Sequence, residues 1–126
     1  MGVLRPLTLP QAEYVLLSLA YPGRPEVHVG VLLLDEDSGS LECRLREDWS
    51  RLVDAEDAAI LRHIGEDLVL KAREMGGEAL LASFEDSLSN ILRIGPRERI
   101  STRNPIETAD RLFRSHVLGE RSKVEV

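Results

Sequence analysis

Arg93, Arg97, Arg99 and Arg103 place four guanidinium groups within eleven residues, around a Gly95-Pro96 turn and just ahead of a helix start at Asn104. Planar guanidinium forks match phosphate and carboxylate oxygens, and the N–H groups of a helix start add to the same field, so this cluster is the candidate anion site. The competing reading is electrostatic: the arginines pair with carboxylates such as Glu47, Glu85 and Asp86 and neutralise the acidic part of the chain. Residues 1–92 hold 8 Lys and Arg against 17 Asp and Glu, net −9, whereas residues 93–126 hold 8 against 5, net +3. Arg111 and Arg114 extend the basic region along the last helix. An overall charge of −6, with no aromatic residue among the four arginines, argues against a nucleic-acid platform.

Other groups offer less chemistry. Asp35, Glu36 and Asp37 with Gly39 suggest a calcium loop, but Gly falls at position five and Arg46 at position twelve, where a bidentate Glu is required. A solvated hairpin turn explains the same residues. His28, His63 and His116 have no metal-binding spacing, and His63 with Asp67 reads as a surface pair at helical spacing. His28 falls in an apolar strand, where a hydrogen-bonded core histidine is the simpler account. Ser115 and His116 are adjacent on a helix, so their side chains do not face each other. Cys43 is the only cysteine and sits between Leu41 and Leu45, which reads as a small buried hydrophobe. No catalytic, cofactor-binding or metal-binding set emerges.

The elements that position these groups follow from periodicity. Residues 14–21 and 26–34 are β-type runs separated by the breaker Pro22-Gly23-Arg24-Pro25. In the second run, strict alternation puts Val27, Val29, Val31 and Leu33 on one face and His28, Gly30, Leu32 and Leu34 on the other. After the acidic turn, Leu41, Cys43 and Leu45 alternate with Glu42, Arg44 and Arg46, a strand with one wet face. Trp49 anchors the junction to the first helix. Asp54 caps a helix over Ala55 to Met75, with Leu61, Ile64, Leu68, Ala72 and Met75 as its apolar stripe, and Gly76-Gly77 ends it. A second helix runs from Glu78 to about Ser87, with Leu81, Phe84 and Leu88 on one side. Residues 88–104 read as loop plus a short strand near Arg99 to Thr102. Asn104, Pro105 and Glu107 start a last helix whose buried side is Ile106, Ala109, Leu112, Phe113 and Val117.

These elements predict a single α+β domain over residues 1–126, with residues 1–12 and 120–126 as less ordered termini. Its antiparallel sheet is led by a three-stranded meander, with a short fourth strand and two or three helices packed mainly on one face. At 126 residues, folding buries roughly two-thirds of the surface of the unfolded chain. No tract is long enough to span a bilayer, and the first ten residues lack the apolar region of a secretory signal, so the expected location is cytoplasmic.

Val29 to Val31 followed by an apolar run and a turn, with Ser89 to Ser101 leading into the closing helix, resembles a family of short bacterial proteins of unknown function, domain of unknown function 3037. The resemblance covers most of the chain and implies a HipA-type kinase as a partner, with no catalytic residues to carry over. Together these readings favour a non-catalytic protein-interaction module, a homodimer or a subunit of a small complex. Its candidate interface is the second sheet face: Tyr14, Leu16, His28, Leu32 and Leu34. The alternative is an anion-binding protein or phosphoester-processing enzyme using Arg93, Arg97, Arg99 and Arg103. No cofactor is expected.

Overall fold

The computed structural model describes residues 11–87 and 92–119. In chain order these form β1 (Gln11–Leu19), β2 (Val27–Asp35), β3 (Leu41–Leu45), a 3₁₀ turn (Trp49–Arg51), α1 (Ala55–Met75), α2 (Gly77–Ser87), β4 (Leu92–Ile94), β5 (Glu98–Ser101) and α3 (Pro105–His116). The first three strands form the expected antiparallel meander in an α+β fold, within a five-stranded sheet of order β3-β2-β1-β4. The outer edge of β1 is shared by β4, opposite Leu17 to Leu19, and β5, opposite Gln11 to Tyr14. The sequence predicts one short strand in this region; two occur, in line and split at Gly95-Pro96. The Gly95 N–H still reaches the Leu16 carbonyl at 2.9 Å, whereas Pro96 has no N–H to continue the ladder. Gln11 and Ala12, expected in a loose terminus, belong to β1, and Ala12 is fully buried. Residues 1–10, 88–91 and 120–126, Leu88 among them, lie outside the described residues.

A β-bulge decides which residues share a face. Leu17 pairs with Gly30 and Ser18 with His28, leaving Val29 as the extra residue on β2. Val29 therefore joins Leu32 and Leu34 in one core, with Val15, Leu17 and Leu19 of β1, Leu61 and Leu68 of α1, and Leu80 and Leu81 of α2. Val31 and Leu33 enter a second core with Ala12 of β1 and Ala109, Leu112 and Val117 around α3. As expected, two helices lie on one face; the third covers the other. Leu32 and Leu34 are consequently not interface residues. They are 0% and 3% exposed beneath α1 and α2, because the bulge turns them away from the face of His28, Tyr14 and Leu16.

Local capping sets the helix starts at the residues read from sequence. The Asp54 carboxylate accepts from the Asp57 N–H, and the Asn104 side chain accepts from the Glu107 N–H, with Pro105 in the first helical turn. Tyr21, after β1, donates to Asp57 at 2.7 Å and Asp54 at 3.2 Å, holding the start of α1 on the β1–β2 turn. The bond to Asp57, followed by desolvation, pushes the Tyr21 phenol up to about 12. Two positions of the predicted stripes depart. Met75 is 47% exposed, since the chain turns at Gly76 and α2 brings Leu80 and Leu81 into that core. Ile106 is 58% exposed, since Thr108, Ala109 and Leu112 form the buried side of α3.

Candidate functional site

The four arginines do not converge on a shared cavity. Arg97, at the break between β4 and β5, meets three carboxylates: Glu13 of β1 at 3.0 Å, and Glu78 and Glu85 of α2 at 2.8 and 2.9 Å. Nε and both terminal nitrogens all donate, so the guanidinium fork is filled by protein oxygens. These bonds hold the Glu78 carboxyl below its ordinary range and keep Arg97 charged at any attainable pH. Arg99 pairs with Glu36 at 3.0 Å and Arg93 with Glu26 at 3.5 Å. Arg103 is exposed at the turn before α3. Of the partners expected from sequence, Glu85 is one; Glu47 instead lines a groove beside β3. The cluster is a set of clamps, with Arg97 tying α2 and β1 to the β4–β5 break.

Two concavities border the remaining candidate residues. Near α3, Tyr14, Leu16, Ser18, His28, Glu98 and His116 line a pocket of about 270 Å³. His28 is exposed to this pocket rather than buried in the core, again because the bulge rotates it outward. The Tyr14 and His116 rings stand 6.3 Å apart between centroids. His63 lies on the exposed side of α1, and no group of three or more His, Cys, Asp or Glu among the described residues could hold a metal ion. The acidic turn is closed by its own atoms: the Asp35 carboxylate accepts from Ser38 Oγ and from the Asp37 N–H.

The larger concavity, about 510 Å³, runs between β3 and α1 and includes Cys43, Leu45, Arg46, Trp49, Gly65 and Val69. It borders the outer edge of β3, which pairs with no other strand among the described residues. The Asp35 N–H donates to the Ser40 carbonyl and the Arg46 N–H to the Val29 carbonyl, so residues of that parity turn their backbone toward β2. Leu41, Cys43 and Leu45 therefore turn their N–H and C=O groups away from the sheet. The Cys43 carbonyl confirms the direction, accepting from the neighbouring Arg44 Nη1 at 3.0 Å. Arg44 also reaches Asp110 of α3 at 2.6 Å, Glu42 at 3.3 Å and the Ile106 carbonyl at 3.4 Å. Its bond holds the Asp110 carboxyl below the usual range, and Arg46 does the same for Asp48 at 2.6 Å.

Burial, followed by the nearby Glu42 charge, pushes the Cys43 thiol up to about 11, which favours the protonated form at neutral pH. Sequence alone does not reveal the groove, because it needs α1 to pack beside β3. The one local signal is the alternation of Leu41, Cys43 and Leu45 with Glu42 and Arg44, which marks a strand with polar groups on one face.

No family model, curated protein or solved structure matches this chain. Among the described residues no helix is long and apolar enough to cross a membrane.

Proposed function

We propose that this chain is a non-catalytic protein-interaction module that takes an extended segment of protein along the outer edge of β3. The observation that supports it is the outward backbone of Leu41, Cys43 and Leu45 beside the groove formed by β3 and α1. An added strand finds main-chain donors and acceptors there, and alternate side chains of that strand find a groove in which Leu45, Trp49 and Val69 stand among Arg46, Glu47, Arg62 and Glu66. The sheet face that the sequence suggests for association is covered in part by α3, which packs on Tyr14 and Leu16, so the outer edge of β3 is taken as the interface instead.

The anion-binding alternative loses its support, since Arg93, Arg97 and Arg99 are engaged by carboxylates of the same chain. Selection of extended peptides from a displayed library, followed by amide chemical-shift mapping, tests the reading. Shifts concentrated at Leu41, Cys43, Leu45 and the facing residues of α1 support it. Peptides that bind elsewhere overturn it, as does the absence of any selection by a chain that light scattering shows to be monomeric.

A further inference from the structure

The outer edge of β3, unpaired among the described residues, is complementary to itself, and we propose that a second copy of this chain is its occupant, β3 pairing antiparallel with β3 about Cys43. The inference rests on the strand-docking reading and names the partner. β3 reads Leu41-Glu42-Cys43-Arg44-Leu45. A two-fold axis through Cys43 sets Glu42 of each copy opposite Arg44 of the other and Leu41 opposite Leu45, with the cysteines facing each other. The outward N–H and C=O groups of Leu41, Cys43 and Leu45 are those the register requires, each facing pair exchanging two hydrogen bonds.

Side chains agree with the backbone. On the α3 face the facing pairs are oppositely charged, which stabilises an antiparallel pair, whereas shifting the register by two residues loses that match. On the α1 face the facing residues are apolar and continue the groove. Exposed aliphatic side chains lie near the edge on both sides: Val69 of α1, 44% exposed, lines the groove, and Ile106 offers its carbonyl to Arg44 at the start of α3. In the single chain Arg44 Nη1 covers the Cys43 carbonyl and its own Glu42. Pairing moves that nitrogen to Glu42 of the other copy, leaves Nε on Asp110 and frees the Cys43 carbonyl for an N–H across the axis. An edge strand left bare would template uncontrolled association; a self-complementary one closes as a dimer.

Light scattering on the full chain tests this. The wild type is expected at twice 14.1 kDa. Glu42→Arg and Arg44→Glu each put like charges across the axis and are expected to weaken the dimer about tenfold or more. Mixed in equal amounts, these two variants associate with each other, because one brings two arginines to the edge and the other two glutamates. Cys43→Pro removes an N–H that points away from β2, together with a half-buried thiol, and is expected to keep its circular dichroism and become monomeric. If Arg44→Glu fails to fold for want of its Asp110 contact, Glu42→Arg and Cys43→Pro decide. A wild type that stays monomeric at millimolar concentration overturns the proposal, as does a dimer that both of these variants leave intact. A monomer that still takes selected peptides along β3 overturns the second copy alone; one that takes none overturns the docking reading as well.

Discussion

Arg97 and Glu13 stand 84 residues apart in sequence and 3.0 Å apart in space, and with Glu78 and Glu85 they form a four-residue ionic cluster in which one cation serves three carboxylates. Arg97 is 22% exposed, so solvent screens the cluster only in part. Its loss leaves three negative groups facing one another between β1 and α2. Arg97→Ala is expected to destabilise the fold by about 2 kcal/mol, and Arg97→Lys, which keeps the charge but not the fork, by roughly half as much. Urea denaturation checks both; a lysine variant as damaging as alanine would show that the fork geometry, not the charge, is what counts.

Glu78, Asp48 and Asp110 all have carboxyl groups held below their ordinary range, chiefly by hydrogen bonds from Arg97, Arg46 and Arg44. A folded-state value below the unfolded one contributes stability above about pH 4.5, and that contribution disappears as pH falls through the folded-state value. The melting temperature is thus expected to hold down to about pH 5 and to fall progressively below about pH 4. Calorimetry across this range measures it, and the slope should be shallower in Arg97→Ala, which lacks the bond that depresses Glu78.

Gly77 opens α2 against the β2–β3 turn, its N–H donating to the Gly39 carbonyl at 3.0 Å. A methyl group there would lie 2.6 Å from that carbonyl and 2.7 Å from Leu34 Cδ1, so backbone would have to move. Gly77→Ala is expected to cost about 1–3 kcal/mol. Gly39→Ala meets open space and suffers only from its positive φ of 75°, a strain of about 1 kcal/mol. Chemical denaturation of the two variants gives the ranking directly.

The Cys43 thiol, pushed up to about 11 by burial, is expected to react with a disulfide reagent at pH 8 far more slowly than a free thiol of ordinary acidity. Denaturant removes the burial and should restore the ordinary rate. Fast labelling of the folded protein would show that the groove beside β3 opens on the timescale of the reaction.

Features carried by neighbours along the chain are legible in the sequence itself. Asp54 and Asn104 cap their helices because a carboxylate or amide three residues from an N–H is a local geometry, and Gly76 ends α1 at a positive φ of 87°. The meander follows from strand-sized apolar runs separated by turn residues. Hydrophobic alternation cannot show the bulge at Val29, because Val31, Leu32, Leu33 and Leu34 are all apolar and either register buries every one of them. Only the pairing with β1 decides that Leu32 faces α1 and α2 while His28 faces the opposite side. Whether the second sheet face is bare depends on where α3 docks, a contact held by Arg44 and Asp110 across 66 residues, in roles that composition does not reveal. The arginine cluster divides the same way. Four cations close together in sequence are plain to read, but a charge becomes a site or a clamp according to the carboxylates that tertiary packing brings to it, and packing brings Glu13, Glu78 and Glu85 to Arg97.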